Sequence, residues 1–450
     1  MITVYKEGSP FPVYEKEYWS SDDWELPEME YDTNKSFFEQ YWEFSKKVPR
    51  PSTNRVGAEN SEYAHLIFDS KSCYLSFQIF QSEKLLGCYR VTRTKDSANC
   101  FFCIDGELLT ECTNCSRCYG LQFSEDCENC SDSTFLYDCK GCQSCFMCWN
   151  LRNKKYHFQN KQYTKEKYEE KITEYNLGKS EDLKRARDDF NKLRENFIVK
   201  TSHMISCENC QGDYLVECKN CEGIYFSDGC EDSKYILRGT EDINCYDAVV
   251  GGKIELCYNL LQPGWCYKCA FTNNCNRCNE TYLSESCTDC KECIGCISLK
   301  RGAHSIFNKK YAKEEYKKLK EHIFAELKET GFEEYFDPTK SPFEYTETIA
   351  DLYFPKSKIK ENKATSDNDC NSCGRILNFS DSEKSFYKKI DIALSDKCFC
   401  CRILSLARPY SIIQLTDSNC TICNKKISYP QGERTYKNVY CDECYLKKIY

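Results

Sequence analysis

The chain has 450 residues, with 62 Lys and Arg against 70 Asp and Glu for a formal charge of −8, and it carries 37 cysteines. At about 150 residues per domain this length allows roughly three domains and argues against a small disulfide-stapled scaffold. Mean hydropathy is −0.67, no apolar run is long enough for a membrane span, and MITVYKEGSPFP lacks the pattern of a secretory signal, so a reducing, cytoplasmic setting is expected.

Residues 1–59 come first. Ser36 and Glu39 have capping-box spacing ahead of FFEQYWEFSKKV, which predicts a helix ending before Pro49 and Pro51. Two cysteine-rich blocks follow, 60–150 and 201–300. Cys118, Cys127, Cys130, Cys139, Cys142, Cys145 and Cys148 return, each 148 residues later, as Cys266, Cys275, Cys278, Cys287, Cys290, Cys293 and Cys296. NKQYTKEKY at 160–168 likewise faces NKKYAKEEY at 308–316, so the chain contains a duplicated unit. Inside the blocks a period of twelve recurs, as in Cys103, Cys115, Cys127 and Cys139. Repeats this short, with β-forming runs such as IYF and YIL, cannot each bury a face alone. They are expected to stack into a β-solenoid whose coil uses one such period or two.

Residues 151–200 read as a helical insert with a break near Gly178, and 301–363 as a further helix over 312–330, stopped by Gly331, followed by linker. These helices are expected to cover the open solenoid ends, where a bare strand edge invites aggregation. Gly251 and Gly252 read as a turn between coils, and the charged stretch 356–369 as the linker into tandem zinc knuckles at 364–450.

The sharpest chemical signal lies in that last segment. Cys420-x-x-Cys423, seventeen residues, then Cys441-x-x-Cys444 supplies four thiolates at the spacing of a closed, structural Zn²⁺ site. NCTICNKKI reads as a knuckle, KISYPQGERTYKNVY as a hairpin, and CDECYLKKIY as a helix start whose dipole favours thiolates. A second site pairs Cys370 and Cys373 with two of the three thiols in CFCC, where Cys398 and Cys401 restore the two-residue gap and leave Cys400 spare. The neighbouring Arg402 and Arg408 read as a solvated surface pair able to meet a phosphate.

In the blocks, stacked cysteines are about 4.8 Å apart, too far to bridge easily, and act as small core residues. Two adjacent coils could instead bring four sulfurs together for zinc, as with Cys115, Cys118, Cys127 and Cys130. The runs Cys139 to Cys148 and Cys287 to Cys296 resemble a ferredoxin ligand string, though the last gap is short and no proline follows. The five histidines show no metal or catalytic spacing and are expected on the surface or packed in helices. No phosphate-binding glycine loop or nucleophile elbow is present, so no catalytic and no organic-cofactor residues are assigned.

The cysteine ladders, LRNKKYHFQNKQYTKEKY, SPFEYTETIADLYFP at 341–355 and the closing VYCDECYLKKIY together resemble large cysteine-rich zinc-ribbon proteins of candidate-phyla (Patescibacteria-type) bacteria. The resemblance spans nearly the whole chain and implies architecture rather than activity. Relatives of that kind carry a further cysteine module upstream. VYEKEYW at 13–19 parallels VYCDECY at 439–445, with Glu15 and Tyr18 in place of Cys441 and Cys444, which suggests a degenerate or truncated zinc module at the N-terminus and leaves open whether Met1 is the natural start.

The expected fold class is therefore α+β: two cysteine-rich β-solenoid-like blocks with helical inserts and C-terminal treble-clef or zinc-ribbon modules. The expected function is a non-enzymatic, Zn²⁺-binding scaffold that presents its repeat surface to a macromolecule, a protein in the first instance. Two alternatives come from other classes. One is RNA binding through the knuckles and the 151–200 segment, with its local charge of +5; the other is iron–sulfur or thiol redox chemistry.

Overall fold

Parallel strand pairing throughout the first block runs at an offset of twelve residues. His65 faces Phe77 and Phe77 faces Tyr89; Lys71 faces Glu83, which faces Lys95; Gln122 faces Thr134, which faces Phe146. In the second block Lys291 faces Ala303 at the same offset. One coil of this β-solenoid is therefore twelve residues, not twenty-four. These relations come from a computed structural model that describes residues 3–98, 100, 122–125, 127–219, 222–228, 283–330, 338–341, 343–348, 351, 366, 368–389, 391–411, 415–430 and 436–450. The Gly251–Gly252 turn, the Gly331 stop and nearly all of the 356–369 linker lie outside the described residues.

A shorter period operates inside the coil. Asn60, Tyr63, Leu66, Asp69, Ser72, Leu75, Gln78, Gln81 and Lys84 all have φ between 46° and 58°. Every third residue is thus a left-handed corner, and glycine takes that place at Gly57, Gly87, Gly141 and Gly295. The residue after each corner points inward: Ser61, Ala64, Ile67, Ser70, Cys73, Ser76 and Ile79 are all buried. Four corners per coil make four short sides, each sending one side chain to the axis. An L-residue at such a corner costs about 1 kcal/mol or more, so the ladder hydrogen bonds and the core must jointly offset it.

The narrow interior explains the composition. Ser61 Oγ donates to the Glu59 carbonyl at 2.9 Å and accepts the N–H of Cys73, one coil on, at 3.1 Å. Ser76 repeats this with Tyr74 and Cys88. Cysteine does the same with a softer donor: Cys148 Sγ lies 3.3 Å from the Phe146 carbonyl and 3.4 Å from that of His157. A small side chain that fills space and also satisfies backbone groups suits every inward position. Outside, equivalent residues stack as well, with Phe68 on Phe80 at 4.9 Å between ring centroids and Lys71 paired with Glu59 at 3.2 Å.

The C-terminal end of each coil stack is closed by an antiparallel turn of chain, Lys161–Gln162 against Lys155–Phe158 and Lys309–Lys310 against Ala303–Ile306. The helix that follows each of these turns packs on the last parallel strand, as expected of helices placed at the solenoid ends. The helices Lys165–Ile172 and Ser180–Leu193, broken around Gly178, lie on the outward aromatic side of the last coils. There Phe190 meets Phe135 at 5.5 Å and Tyr168 meets Tyr156 at 5.9 Å. The reason is that Phe135 and Tyr156 occupy corners, where an aromatic side chain points away from the axis and needs cover.

The chain divides into two compact units, Asn54–Thr201 with Tyr345–Tyr450 and Met1–Thr53 with Ser202–Glu344. In the second, the helix Phe37–Ser45 buries Phe37, Phe38, Tyr41 and Phe44 against the helix Lys313–Thr330 and the last coils. Ser36 is its N-cap, but the expected capping box does not form: its side chain makes no cap bond, and Glu326 accepts the Phe37 N–H at 2.8 Å instead. The first coil of this unit is one residue short, pairing Met204 with Leu215 and Ile205 with Val216. No helix among the described residues is long and apolar enough to cross a membrane.

Candidate metal centres

Two knuckles with the same local wiring carry the C-terminal cysteines. Cys370 donates its N–H to the Arg375 carbonyl at 2.7 Å while Gly374, at φ 69°, donates back to the Cys370 carbonyl at 2.8 Å. Cys420 repeats this with Lys425 at 2.8 Å and with Asn424, at φ 60°, at 2.9 Å. A left-handed residue just after C-x-x-C folds the chain back so that both sulfurs face one point. The second pair of each centre stands at a helix start. Cys398 precedes the helix Phe399–Ser411, with Cys401 in its first turn. Cys441 is the N-cap of Asp442–Ile449, with Cys444 in its first turn. The positive end of the helix dipole thus faces each cluster.

The four sulfurs of Cys370, Cys373, Cys398 and Cys401 all lie within 4.8 Å of one another, as do those of Cys420, Cys423, Cys441 and Cys444. The spacing decides between two chemistries. Cys373 and Cys398 are 3.7 Å apart at sulfur, and so are Cys423 and Cys441. A disulfide needs about 2.05 Å, whereas a tetrahedral ion with bonds of about 2.3 Å sets its ligands about 3.8 Å apart. These quartets therefore fit a metal ion, and the described cysteines are all free. Burial alone would raise the Cys370 thiol, but backbone N–H groups of Cys398, Ser372 and Cys373 bring it down to about 6. At Cys420, N–H groups of Cys423, Cys441 and Ile422 likewise overcome burial and give about 6. Cys400 is exposed and outside the quartet, which settles the choice among the three CFCC thiols.

Arg402 corrects a sequence expectation. It is 3% exposed, with its guanidinium 2.6 Å from Glu383 and 3.0 Å from the Tyr387 hydroxyl. The helical phase that puts Cys401 on the metal carries the next residue into the core, so Arg402 anchors the module and meets no surface phosphate. A hairpin expected within 426–440 is also redrawn. Lys426–Pro430 pairs antiparallel with Leu415–Asn419, on the other side of the knuckle, while Asn438–Tyr440 runs parallel to Ile198–Lys200. The second centre is thereby sewn to the first solenoid block. Asn150 brackets the Ile198 backbone with two bonds of 2.9 Å, and Arg152 reaches the Tyr445 hydroxyl at 2.8 Å and Asp138 at 2.9 Å.

The N-terminal VYEKEYW segment, 13–19, repeats this docking without sulfurs. Val13 and Tyr14 run parallel to Arg50 and Pro51, and Glu15 is the N-cap of the helix Lys16–Ser20. Trp19, at the place of Tyr445, donates to Ser298 at 3.3 Å, and Lys300 donates to the Trp19 carbonyl at 2.9 Å.

Solenoid cysteines behave differently from the C-terminal ones. Among the described residues, no ladder cysteines gather in the tight geometry of the two quartets. C-x-x-C in a coil is two consecutive sides, not one knuckle, and Cys127, Cys130, Cys139 and Cys142 do not gather as the quartets do; the cross-coil site considered above includes Cys115 and Cys118, which lie outside the described residues. Cys139, Cys142, Cys145 and Cys148, the ferredoxin-like run, are the four inward positions of a single coil, and burial pushes the Cys139 thiol well up. The spacing of three within that run was the available signal for the three-residue side. Of the histidines, His322 lies exposed on a helix as expected, whereas His65, His157, His203 and His304 lie in the coils and His157 is buried. His65 Nδ1 accepts the Asn54 N–H at 3.0 Å. Three of the basic residues of 151–200 are paired within the segment, Lys171 with Glu174, Arg185 with Asp182 and Lys192 with Asp189 at 2.7 to 3.0 Å, which leaves the local excess of +5 unchanged.

No protein-family model and no curated protein matches this sequence. Among solved structures, a chain from Desulfovibrio desulfuricans G20, described provisionally as an acetyltransferase, aligns at 11% identity over 66% of this chain and 82% of its own, with a TM-score of 0.12. A superposition that poor carries neither a fold nor an activity.

Proposed function

We propose that this protein is a non-enzymatic scaffold whose C-terminal quartets bind two Zn²⁺ ions in treble-clef or zinc-ribbon modules, and whose solenoid faces present a regular surface to a protein partner. The carrying observation is the 3.7 Å sulfur spacing in both quartets. Four thiolates complete a tetrahedral shell and leave no open position for substrate, which is the mark of a structural ion. Zinc bound only by the folded module stabilises it directly. The solenoid supports the scaffold reading because every coil repeats the same exterior geometry, including the alternating ladder Glu59, Lys71, Glu83 and Lys95. A partner with alternating charge at the strand spacing would read that ladder.

Native mass spectrometry tests the metal content. Two zinc ions per chain are expected, and chelation should melt 366–450 before the solenoid. Fewer than one zinc per chain with the modules still folded would refute the proposal. RNA binding is the competing reading, drawn from the local charge of +5 over 151–200; a salt-sensitive shift of RNA at low ionic strength would favour it.

A further inference from the structure

The two halves of the duplication part company where a helix crosses the outer corners of the last coils. In the second block Glu292 and His304 are equivalent corners one coil apart, at φ 49° and 52°. Corner side chains point outward, and the helix Lys313–Thr330 lays Tyr316, Lys320, Glu321 and Phe324 over them. Between the helix and the corners lies a cavity of about 340 Å³. On its floor His304 Nε2 is 2.9 Å from Glu292 Oε2, and the Lys320 ammonium is 3.9 Å from Glu292 Oε1. The imidazole meets the Tyr316 ring edge-on at 5.5 Å between centroids.

The first block shows that the fold does not need this set. In place of Glu292, His304, Tyr316 and Lys320 it has, 148 positions earlier, Ser144, Tyr156, Tyr168 and Ile172. There Tyr156 packs on Tyr168 at 5.9 Å, and Ile172 joins both in one apolar cluster. The helix of the first block ends at Ile172, whereas its counterpart runs on to Thr330 and so carries Glu321 and Phe324 past the equivalent stop. Partly exposed ion pairs contribute little to stability, less than the burial of an aromatic ring and an isoleucine side chain. Exchanging that apolar contact for a carboxylate, an imidazole and an ammonium, under a longer helix, weakens the packing and opens a cavity. Stability alone does not account for it; a bound ligand does.

The lining also selects the ligand. Tyr316 and Phe324 supply an aromatic wall, which calls for an apolar body, and the volume falls within the range of small-molecule sites. Both signs of charge are present, Glu292 and Glu321 against Lys320, so a ligand with a single charge meets repulsion as well as attraction. At 3.9 Å Glu292 and Lys320 are beyond hydrogen-bond reach of each other yet adjacent. A ligand whose ammonium and carboxylate stand on one carbon atom matches that spacing, with its ammonium on Glu292 and its carboxylate on Lys320. We infer that this cavity binds a free α-amino acid with an aromatic or large aliphatic side chain. His304 is a positioning residue that fixes the Glu292 carboxylate, and the ligand side chain lies against Tyr316 and Phe324. Hydrogen bonds between charged partners are the strong ones, so the two ends of the zwitterion carry the specificity.

The test is calorimetric titration of the full zinc-loaded chain with L-phenylalanine, beside phenethylamine and 3-phenylpropionate, which each keep one of its two charges. Saturable binding of L-phenylalanine is expected, with both analogues at least about tenfold weaker because each leaves one charged group of the cavity without its hydrogen bond. Transplanting the first block's residues as E292S, H304Y and K320I should abolish binding while cooperative unfolding and zinc content are kept, since that combination already folds in the other half. Glu292→Gln, which preserves shape, should weaken L-phenylalanine by about tenfold without weakening 3-phenylpropionate. Failure of L-phenylalanine and L-leucine alike to bind, equal binding of either analogue, or unchanged affinity in the substituted chains would each overturn the inference. Zinc is counted in the same samples, so a failure here is distinct from a failure of the scaffold reading.

Discussion

Arg152 and Lys300 occupy equivalent positions in the two solenoid blocks, 148 residues apart, and each reaches a docked aromatic residue: Arg152 the hydroxyl of Tyr445, Lys300 the backbone carbonyl of Trp19, with its ammonium 5.0 Å from that indole ring. The duplication thus extends past the coils to the strand and helix that dock beside them. One copy keeps Cys441 and Cys444 on that helix start, and the other has Glu15 and Tyr18. The docking surface is present in both copies and the sulfurs in one, so strand pairing and the contact from Arg152 or Lys300 position the helix whether or not thiols stand at its start.

Removing the Arg152 side chain should therefore detach rather than unfold the second centre. Arg152 and Asp138 are mostly buried, and removing the ion-pair partner of Asp138, which keeps hydrogen bonds from Asn150 and Tyr445, costs at most about 3 kcal/mol. Arg152→Ala is expected to raise hydrogen exchange across 438–449 while 65–98 stays protected and two zinc ions remain bound. Unchanged protection of 438–449 would contradict this role.

Cys400 and Cys401 are neighbours with opposite expected effects. Cys401→Ser should lower the zinc count by one and destabilise 368–411, since three thiolates leave the ion an open position. Cys400→Ser, an exposed thiol outside the quartet, should keep both ions and change stability by no more than about 0.5 kcal/mol. Native mass spectrometry with thermal unfolding checks both.

Acid should weaken the first block through His65. Burial lowers its ring from 6.5 to about 4, and its Nδ1 is an acceptor that protonation would abolish. The unfolded chain takes up that proton near pH 6.5 and the folded chain only near 4, so this contribution is complete above about pH 6.5 and is lost as pH falls toward 4. At most it amounts to about 3 kcal/mol. Denaturant midpoints across that range should decline in the unaltered protein and less so in His65→Gln.

Corner residues give a stereochemical prediction. Gln81 is exposed with φ 49°. Gln81→Gly should stabilise by up to about 1 kcal/mol by relieving the left-handed strain, whereas Gln81→Val should destabilise by about 1 to 2 kcal/mol. Equal effects of the two substitutions, measured by denaturant unfolding, would rule out a strained corner.

Much of this architecture was legible in residue spacing. The twelve-residue recurrence is the coil, and the eight C-terminal cysteines are the ones that converge. The side of three was hidden because strand signals are sought at a period of two, and here a left-handed residue resets the chain before any alternation can develop. The same cause disguised Cys139 to Cys148 as a ligand string. The N-cap at Ser36 was visible but its partner was not, since Glu326 arrives from a helix nearly three hundred residues away. Arg402 was misplaced because a single helical step separates a metal ligand from a buried ion pair, and composition alone does not fix that phase.

The twelve-residue coil bears on how such a rod can lengthen. Any gain or loss of one full turn leaves every corner a corner and every axial side chain axial, so neither terminal docking site nor closing hairpin needs to readjust. Reach along the axis is then a quantity that unequal recombination can tune in steps of one strand spacing, about 4.8 Å, while the chemistry at either extremity stays as it was.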